Sequence, residues 1–299
     1  MMQPLQGSFV ALVTPMHGDG SVDYVSLEAL IEWHIASGTS GIVSVGTTGE
    51  SATVSISEHL EIINKTIQIV SQRIPVIAGT GANSTQEAIE LTETAASLGA
   101  DYALIVTPYY NKPNQNGLFQ HFTKIADSVD IPQILYNVPS RTACDLRPET
   151  VEDLAAHPNI IGIKEATNDS LRLGELMAIA EKLADKKYFS VLSGDDPSFN
   201  SFMAEGGDGV ISVAANILPN EVSKICSLNL EGCIDDAREL NEMFLDIYEL
   251  LFIESNPIPV KWMLAKMKKI NPGIRLPLIP LATEYHDAII NELTKLKLL

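Results

Sequence analysis

Eight short apolar runs recur along the chain, at residues 9–14, 41–46, 75–81, 102–108, 132–139, 160–166, 189–195 and 209–216. Each is rich in Val, Ile and Leu and lacks polar alternation, the signature of a strand buried on both faces. Their starts are separated by 32, 34, 27, 30, 28, 29 and 20 residues, room for one strand and one crossover helix per unit. The intervening segments carry helical periodicity. Residues 57–70 place Leu60, Ile63, Ile67 and Val70 on one face. Ser84-Thr85-Gln86-Glu87 opens another helix with Glu87 in the capping-box position, followed by Ala88, Ile89, Leu91, Ala95 and Leu98 and a stop at Gly99. Eight such units close most economically as a (β/α)8 TIM barrel of the α/β class. An open doubly wound sheet is the alternative, and it usually brings a phosphate-binding glycine pattern. Gly79-Thr80-Gly81-Ala82-Asn83-Ser84 begins like one but lacks the third glycine, and reads as a strand end and turn.

After residue 230 the pattern changes. Residues 233–252, 257–270 and 281–299 read as three helices with no strand between them. The expected organisation is a catalytic barrel over 1–229 and a C-terminal three-helix appendage over 230–299, packed on the barrel.

Composition narrows the function. The 299 residues carry 20 basic and 38 acidic side chains, a net charge of −18 that disfavours nucleic acid and anionic membrane surfaces. An anionic substrate would need a local cation or a cluster of backbone N–H groups. No apolar run is long enough to span a bilayer. The opening Met1-Met2-Gln3-Pro4-Leu5-Gln6-Gly7 lacks the basic and apolar regions of a secretion leader. The three cysteines, Cys144, Cys226 and Cys233, suit reduced thiols in a cytoplasm. Six histidines without i,i+4 spacing and cysteines without a C-x-x-C clip give no metal site.

A barrel carries its reactive groups at the C-terminal ends of its strands. Thirteen of the fourteen lysines fall in polar loops or helical segments, whereas Lys164 falls inside Ile160-Ile161-Gly162-Ile163-Lys164-Glu165-Ala166, near the end of the sixth strand. Burying an ammonium is costly, and the neutral amine that burial favours attacks carbonyls to form Schiff bases. The alternative is a structural lysine paired with Asp195 or Asp196. Tyr136 ends the neighbouring fifth strand, where a phenol can shuttle protons or simply close the core. Gly46-Thr47-Thr48-Gly49-Glu50-Ser51 follows the second strand, and its glycines allow a turn whose N–H groups bind a carboxylate, or an ordinary helix-capping turn. Arg141, just past the fifth strand, is one of only six arginines and suits a substrate carboxylate or a surface ion pair. Tyr109-Tyr110 follow the fourth strand. Adjacent aromatics do not easily both face their own site, and one of them suits a subunit interface.

Together these residues resemble the dihydrodipicolinate synthase branch of the pyruvate-dependent class I aldolases, which also contain N-acetylneuraminate lyase. The likeness runs over essentially the whole chain, and Ser193-Gly194-Asp195-Asp196 and Asn256-Pro257-Ile258-Pro259-Val260-Lys261 belong to it as well. The double threonine and the Arg141 segment favour the synthase over the lyase. The resemblance implies that Lys164 condenses with pyruvate and that Tyr136 moves the protons. Thr47 would link Tyr136 to Tyr110 of a neighbouring subunit. Thr48, with its own N–H and that of Thr47, would hold the pyruvate carboxylate, while Gly194 and Ile211 line the pyruvate side through backbone groups. Arg141 would hold the carboxylate of L-aspartate 4-semialdehyde. No external cofactor is implied, because Lys164 is itself the electron sink. A homotetramer of two tight dimers is implied too.

Lysine-inhibited relatives bind free L-lysine at the dimer interface, and the matching positions are Ser51, Ala52, His59, Asn83, Glu87 and Tyr109, with helix capping the alternative for Asn83 and Glu87. Ile56 departs from the pattern, since inhibited members often carry histidine there, and a weaker lysine site is expected. Two rival functions remain: another 2-oxo-acid aldolase, distinguished by Arg141, and a catalytically silent binding protein, distinguished by the combination of Lys164, Tyr136, Thr47 and Tyr110.

Overall fold

Eight parallel strands form a closed barrel in strict chain order, β1 pairing with both β2 and β8. They are β1 Gly7–Ala11, β2 Gly41–Ser44, β3 Val76–Gly79, β4 Tyr102–Val106, β5 Gln133–Asn137, β6 Ile160–Glu165, β7 Ser190–Ser193 and β8 Gly209–Ser212. The structure is a computed structural model describing residues 4–299. Met1, Met2 and Gln3, the first part of the segment read for a secretion leader, lie outside the described residues.

The helices that follow are α1 Tyr24–Ala36, α2 Ile56–Val70, α3 Thr85–Leu98, α4 Gln115–Ser128, α5 Pro139–Thr142, α6 Pro148–Ala155, α7 Ser170–Leu183, α8 Phe199–Ala204, α9 Pro219–Leu230, α10 Ile234–Glu242, α11 Leu245–Leu250, α12 Ile258–Lys266 and α13 His286–Lys295. Apolar side chains form three layers. Phe9, Val43, Ile77, Leu104, Ile134, Leu192 and Ile211 fill the barrel. Ile105, Leu135, Ile163 and Val191 face outward onto α4, α6 and α7. Val10, Ile42 and Val210 face outward into a cluster that also holds Ile247, Tyr248, Val260, Leu264 and Leu293. The C-terminal helices therefore share a core with the barrel.

Three expectations for that region need correction. The helix expected over 233–252 is two helices, because its last turn tightens to i→i+3 bonds from Met243 and Phe244 and the chain restarts with buried Phe244 as N-cap. The helix expected over 257–270 ends at Lys266, and Lys268 takes a left-handed φ of 59° just beyond it. The helix expected over 281–299 begins only at His286, after a 3-10 turn at Thr283–Tyr285. The start of α3 also differs. The Glu87 N–H donates to Ser84 Oγ at 3.4 Å, but the Glu87 carboxylate makes no bond back among the described residues, so the box is half formed. The complete capping box is Ser55 with Glu58, at the start of α2.

Candidate active site

Lys164 enters the barrel because β6 carries a bulge. Gln133 pairs with Ile160 but Ile134 pairs with Gly162, leaving Ile161 without a partner. The skipped residue re-phases the strand, so that Ile163 faces the outer layer and Lys164 shares a face with its partner Tyr136. The Lys164 Nζ lies 4.3 Å from the centroid of the Tyr136 ring, and both residues are buried. Neither carboxylate considered as its partner pairs with it: among the described residues the lysine ion pairs are those of Lys182, Lys261 and Lys295. Asp195 accepts from Ser198, and Asp196 accepts from Ser212 Oγ and the N–H groups of Val213 and Ala214. Burial raises the Asp196 carboxyl to about 6 against those three donors.

The turn after β2 is held at both ends in left-handed backbone, Val45 at φ 53° and Glu50 at φ 58°. Such conformations cost about 1–3 kcal/mol each for side chains other than glycine. Within the turn the N–H groups of Gly49 and Ser51 donate to Gly46, that of Glu50 donates to Thr47, and Thr14 Oγ1 donates to the Gly49 carbonyl at 2.7 Å. Among the described residues the N–H groups of Thr47 and Thr48 have no acceptor. They are the free donors that an anion-binding nest requires. A side chain at Gly49 would lie 2.9 Å from the Val45 Cα, which fixes glycine there.

These groups border one cavity of about 490 Å3, lined among others by Thr47, Thr48, Tyr136, Arg141, Lys164 and Gly194. Gly194 is required by close approach, because a Cβ there would stand 2.7 Å from Lys164 Cε. The Ile211 side chain lies in the apolar interior of the barrel, and Val213, two residues further on, borders the cavity. Arg141 is exposed at the mouth, and its Nη2 donates to the Asn256 carbonyl at 3.5 Å.

Residues without an assigned sequence role complete the wall: Phe252, Ser255 and Asn256, all from the C-terminal region. Asn256 Nδ2 donates to Thr48 Oγ1 at 3.0 Å, and its buried Oδ1 has no partner among the described residues. The reading of Lys164 as the one lysine in a costly position is also corrected. Lys261 is buried and ion-paired with buried Glu50; burial pushes its ammonium below the ordinary lysine value, against the pull of that carboxylate. Lys187 is half-buried, donates to the carbonyls of His157 and Ile160 at 2.5 and 2.6 Å, and is lowered by burial to about 8. The signal for Lys261 was present in the sequence, since Ile258 and Leu264 flank it at i−3 and i+3 on one helical face.

A second cavity of about 630 Å3 gathers Ser51, Ala52, Ile56, His59, Glu87 and Tyr109. The His59 Nε2 donates to the Gly79 carbonyl at 2.7 Å, and burial lowers its pKa. Asn83 does not line this cavity but accepts the Tyr109 N–H at 2.7 Å, so it fixes the loop that does. Tyr110 is 85% exposed and is not brought to the site of its own chain.

The fold and the site thus define a lysine-centred (β/α)8 barrel, with an interior amine, free backbone donors and an arginine at the strand ends. The chain belongs to the Dihydrodipicolinate synthetase family, whose sequence profile matches residues 4–296. It is 53% identical over 282 residues to a 4-hydroxy-tetrahydrodipicolinate synthase of Saccharophagus degradans, covering 94% of this chain and 95% of that one. The synthase of Ralstonia nicotianae is 51% identical over 288 residues, covering 96% of each. Among solved structures, the dihydrodipicolinate synthase of Acinetobacter baumannii complexed with pyruvate superposes with a TM-score of 0.94 at 52% identity, covering 98% of this chain and 99% of that one. The enzyme of Cyanidioschyzon merolae with lysine bound gives 0.93 at 34% identity, covering 99% and 100%.

Proposed function

We infer that the chain condenses pyruvate with L-aspartate 4-semialdehyde through a Schiff base on Lys164, giving 4-hydroxy-tetrahydrodipicolinate for lysine and diaminopimelate synthesis. The observation that carries this reading is the Lys164 amine itself: buried, free of either candidate carboxylate, and facing a cavity bordered by unpaired N–H groups and an arginine.

In the mechanism, the Lys164 amine adds to the keto carbon of pyruvate, and the carbinolamine loses water to give a protonated imine. Tyr136 exchanges the protons of that step, relayed by Thr47 to Tyr110 of a second subunit. The N–H groups of Thr47 and Thr48 and the Thr48 hydroxyl hold the pyruvate carboxylate. The cationic imine withdraws electrons, the methyl group gives up a proton, and the enamine carbon attacks the aldehyde. The Arg141 guanidinium holds the carboxylate of that second substrate. Its amino group then displaces Lys164 by transimination, which closes the ring and frees the enzyme.

The exposure of Tyr110 supports a homo-oligomer, a tetramer of two tight dimers, in which that side chain completes a neighbour's site. The second cavity, bordered by the Glu87 helix start, is the place for L-lysine as feedback inhibitor. The functional division falls between a catalytic barrel over 1–229 and a C-terminal region over 230–299 that closes the site wall. Among the described residues no helix is long and apolar enough to cross a membrane. Three free cysteines, two of them buried, suit a reducing cytoplasm. The test is reduction with borohydride in the presence of pyruvate, followed by mass spectrometry of the peptides. A reduced pyruvyl adduct on Lys164 is the expected result, and an adduct elsewhere, or none, refutes the mechanism.

A further inference from the structure

One short stretch of the C-terminal region reaches three parts of the site. Asn256 donates to the Thr48 hydroxyl, the Asn256 carbonyl accepts from Arg141, and five residues later Lys261 pairs with Glu50 at the end of the 46–51 turn. The pair is fully enclosed, the side chains of Lys261 and Glu50 being 4% and 1% exposed. The other Glu50 oxygen accepts the Arg275 N–H at 3.2 Å, and the Arg275 guanidinium binds Glu58 and the carbonyls of Thr53 and Gly20. The Glu50 backbone is itself part of the turn, since its N–H donates to the Thr47 carbonyl and its own carbonyl accepts from Thr53 and Val54.

We propose that Glu50 and Lys261 are positioning residues for the pyruvate carboxylate: their buried ion pair ties the turn to α12 and thereby holds the N–H groups of Thr47 and Thr48 where the carboxylate must sit. The proposal rests on the reading of that turn as the carboxylate nest. A buried ion pair is a poor source of stability, because well-packed neutral residues of the same volume do as well or better. What it supplies is a fixed, directional link between two chain segments. Here one of those segments is a turn held in left-handed backbone at both ends, and the other also grips Thr48 and Arg141. Neither charged group borders the catalytic cavity, so their effect on substrate passes through the turn.

The experiment separates positioning from mere stability. The double variant Glu50→Gln with Lys261→Met removes both charges at nearly constant volume and leaves no uncompensated ion. Its expected behaviour is a Tm at or above the parent's, a KM for pyruvate raised about tenfold, and a kcat at saturating pyruvate within about twofold. Borohydride trapping at saturating pyruvate should still modify Lys164. A double variant that folds and keeps the parental KM overturns the proposal. Should it not fold, Glu50→Asp alone keeps both charges and shortens the link by one methylene; the expected result is again a raised KM, and a parental KM overturns the proposal. Thr48→Val is run beside them. If it raises the KM while the Glu50 and Lys261 variants do not, positioning alone is wrong. If it leaves the KM unchanged, the Thr48 hydroxyl plays no part in holding the carboxylate, and the proposal stands or falls on the Glu50 and Lys261 variants.

Discussion

Replacing Gly194 with alanine tests whether the position of the Lys164 side chain sets the rate. The added Cβ would lie 2.7 Å from Lys164 Cε, 2.9 Å from Ala166 Cβ and 3.1 Å from Lys164 Cγ. Carbon atoms in contact rest at about 3.5–4.0 Å, so the overlap with Cε is about 1 Å. The backbone cannot easily retreat, because the Gly194 N–H donates to the Glu165 carbonyl at 2.7 Å, the β6–β7 link beside Lys164. The lysine stem must therefore shift by about 1 Å, and a misplacement of that size is worth about a hundredfold in rate. In stability the overpacking costs about 1–3 kcal/mol, which a domain of this size tolerates. The assay is steady-state turnover with both substrates, beside the rate at which borohydride traps the pyruvyl adduct and the far-UV spectrum of the folded variant. A hundredfold loss in kcat with slowed adduct formation and an intact fold is expected. A folded Gly194→Ala enzyme within threefold of the parent would show that the stem has room, and that the geometry at Lys164 does not limit turnover.

Arg141→Ala should raise the KM for L-aspartate 4-semialdehyde by about one to two decades, the worth of a charge-assisted hydrogen bond, and leave pyruvate trapping unchanged; equal effects on both substrates would count against its role. Tyr110→Phe should cost about a hundredfold in kcat with stability changed by less than about 0.5 kcal/mol, since the side chain is 85% exposed in its own chain. Mixing Tyr110→Phe with Lys164→Ala subunits should restore part of the activity, and failure to do so in verified mixed oligomers argues against a donated tyrosine. The Arg275 guanidinium lowers the Glu58 carboxyl from 4.5 to about 2. A depressed carboxylate contributes stability that is fully present above pH 4.5 and is lost as pH falls towards 2. Screening at this partly exposed site limits it to about 1 kcal/mol, so the Tm gap between parent and Glu58→Gln should narrow between pH 6 and 3, and a gap independent of pH contradicts the assignment. L-lysine should lower the initial rate only weakly, with Ile56 on the cavity wall, and a titration flat to high millimolar concentration refutes a regulatory site there.

The barrel was legible because strands buried on both faces need continuous apolar runs, and the spacing of those runs leaves room only for one helix each. Lys164 was legible for the complementary reason, an ammonium in a run that has no solvent. What the pattern could not show was the bulge at Ile161, since a skipped pairing leaves no mark in hydrophobicity; regular alternation along β6 would have turned Lys164 away from Tyr136. Lys261 was hidden differently. A charged residue in a helix is ordinarily solvated, and only the apolar neighbours at i−3 and i+3 indicate burial, while its partner lies 211 residues away. The breaks between α10 and α11 and before α13 follow from tertiary packing around Phe244 and from a 3-10 start, which propensity does not resolve. Tyr110 is a case in which adjacency alone was informative: two consecutive tyrosines after a strand cannot share one pocket, and the structure puts Tyr109 on the second cavity and Tyr110 in the open.

The two cavities are not independent. Thr47, Val138, Arg141, Ser255 and Asn256 line both, so the wall of one is the wall of the other. Thr47 belongs to the turn with the free N–H groups, and Asn256 holds Thr48 while touching Arg141. A ligand in the second cavity that displaces this wall alters the free energy of binding in the first. Linkage makes the effect reciprocal, so that occupation of the catalytic cavity changes affinity in the second by the same factor. The Glu50–Lys261 pair lies at the junction, since Glu50 borders the second cavity and anchors the turn of the first. The C-terminal region is thus more than a cover for the barrel: by holding Thr48, Arg141 and Glu50 from one short stretch, it gives the two cavities a common frame.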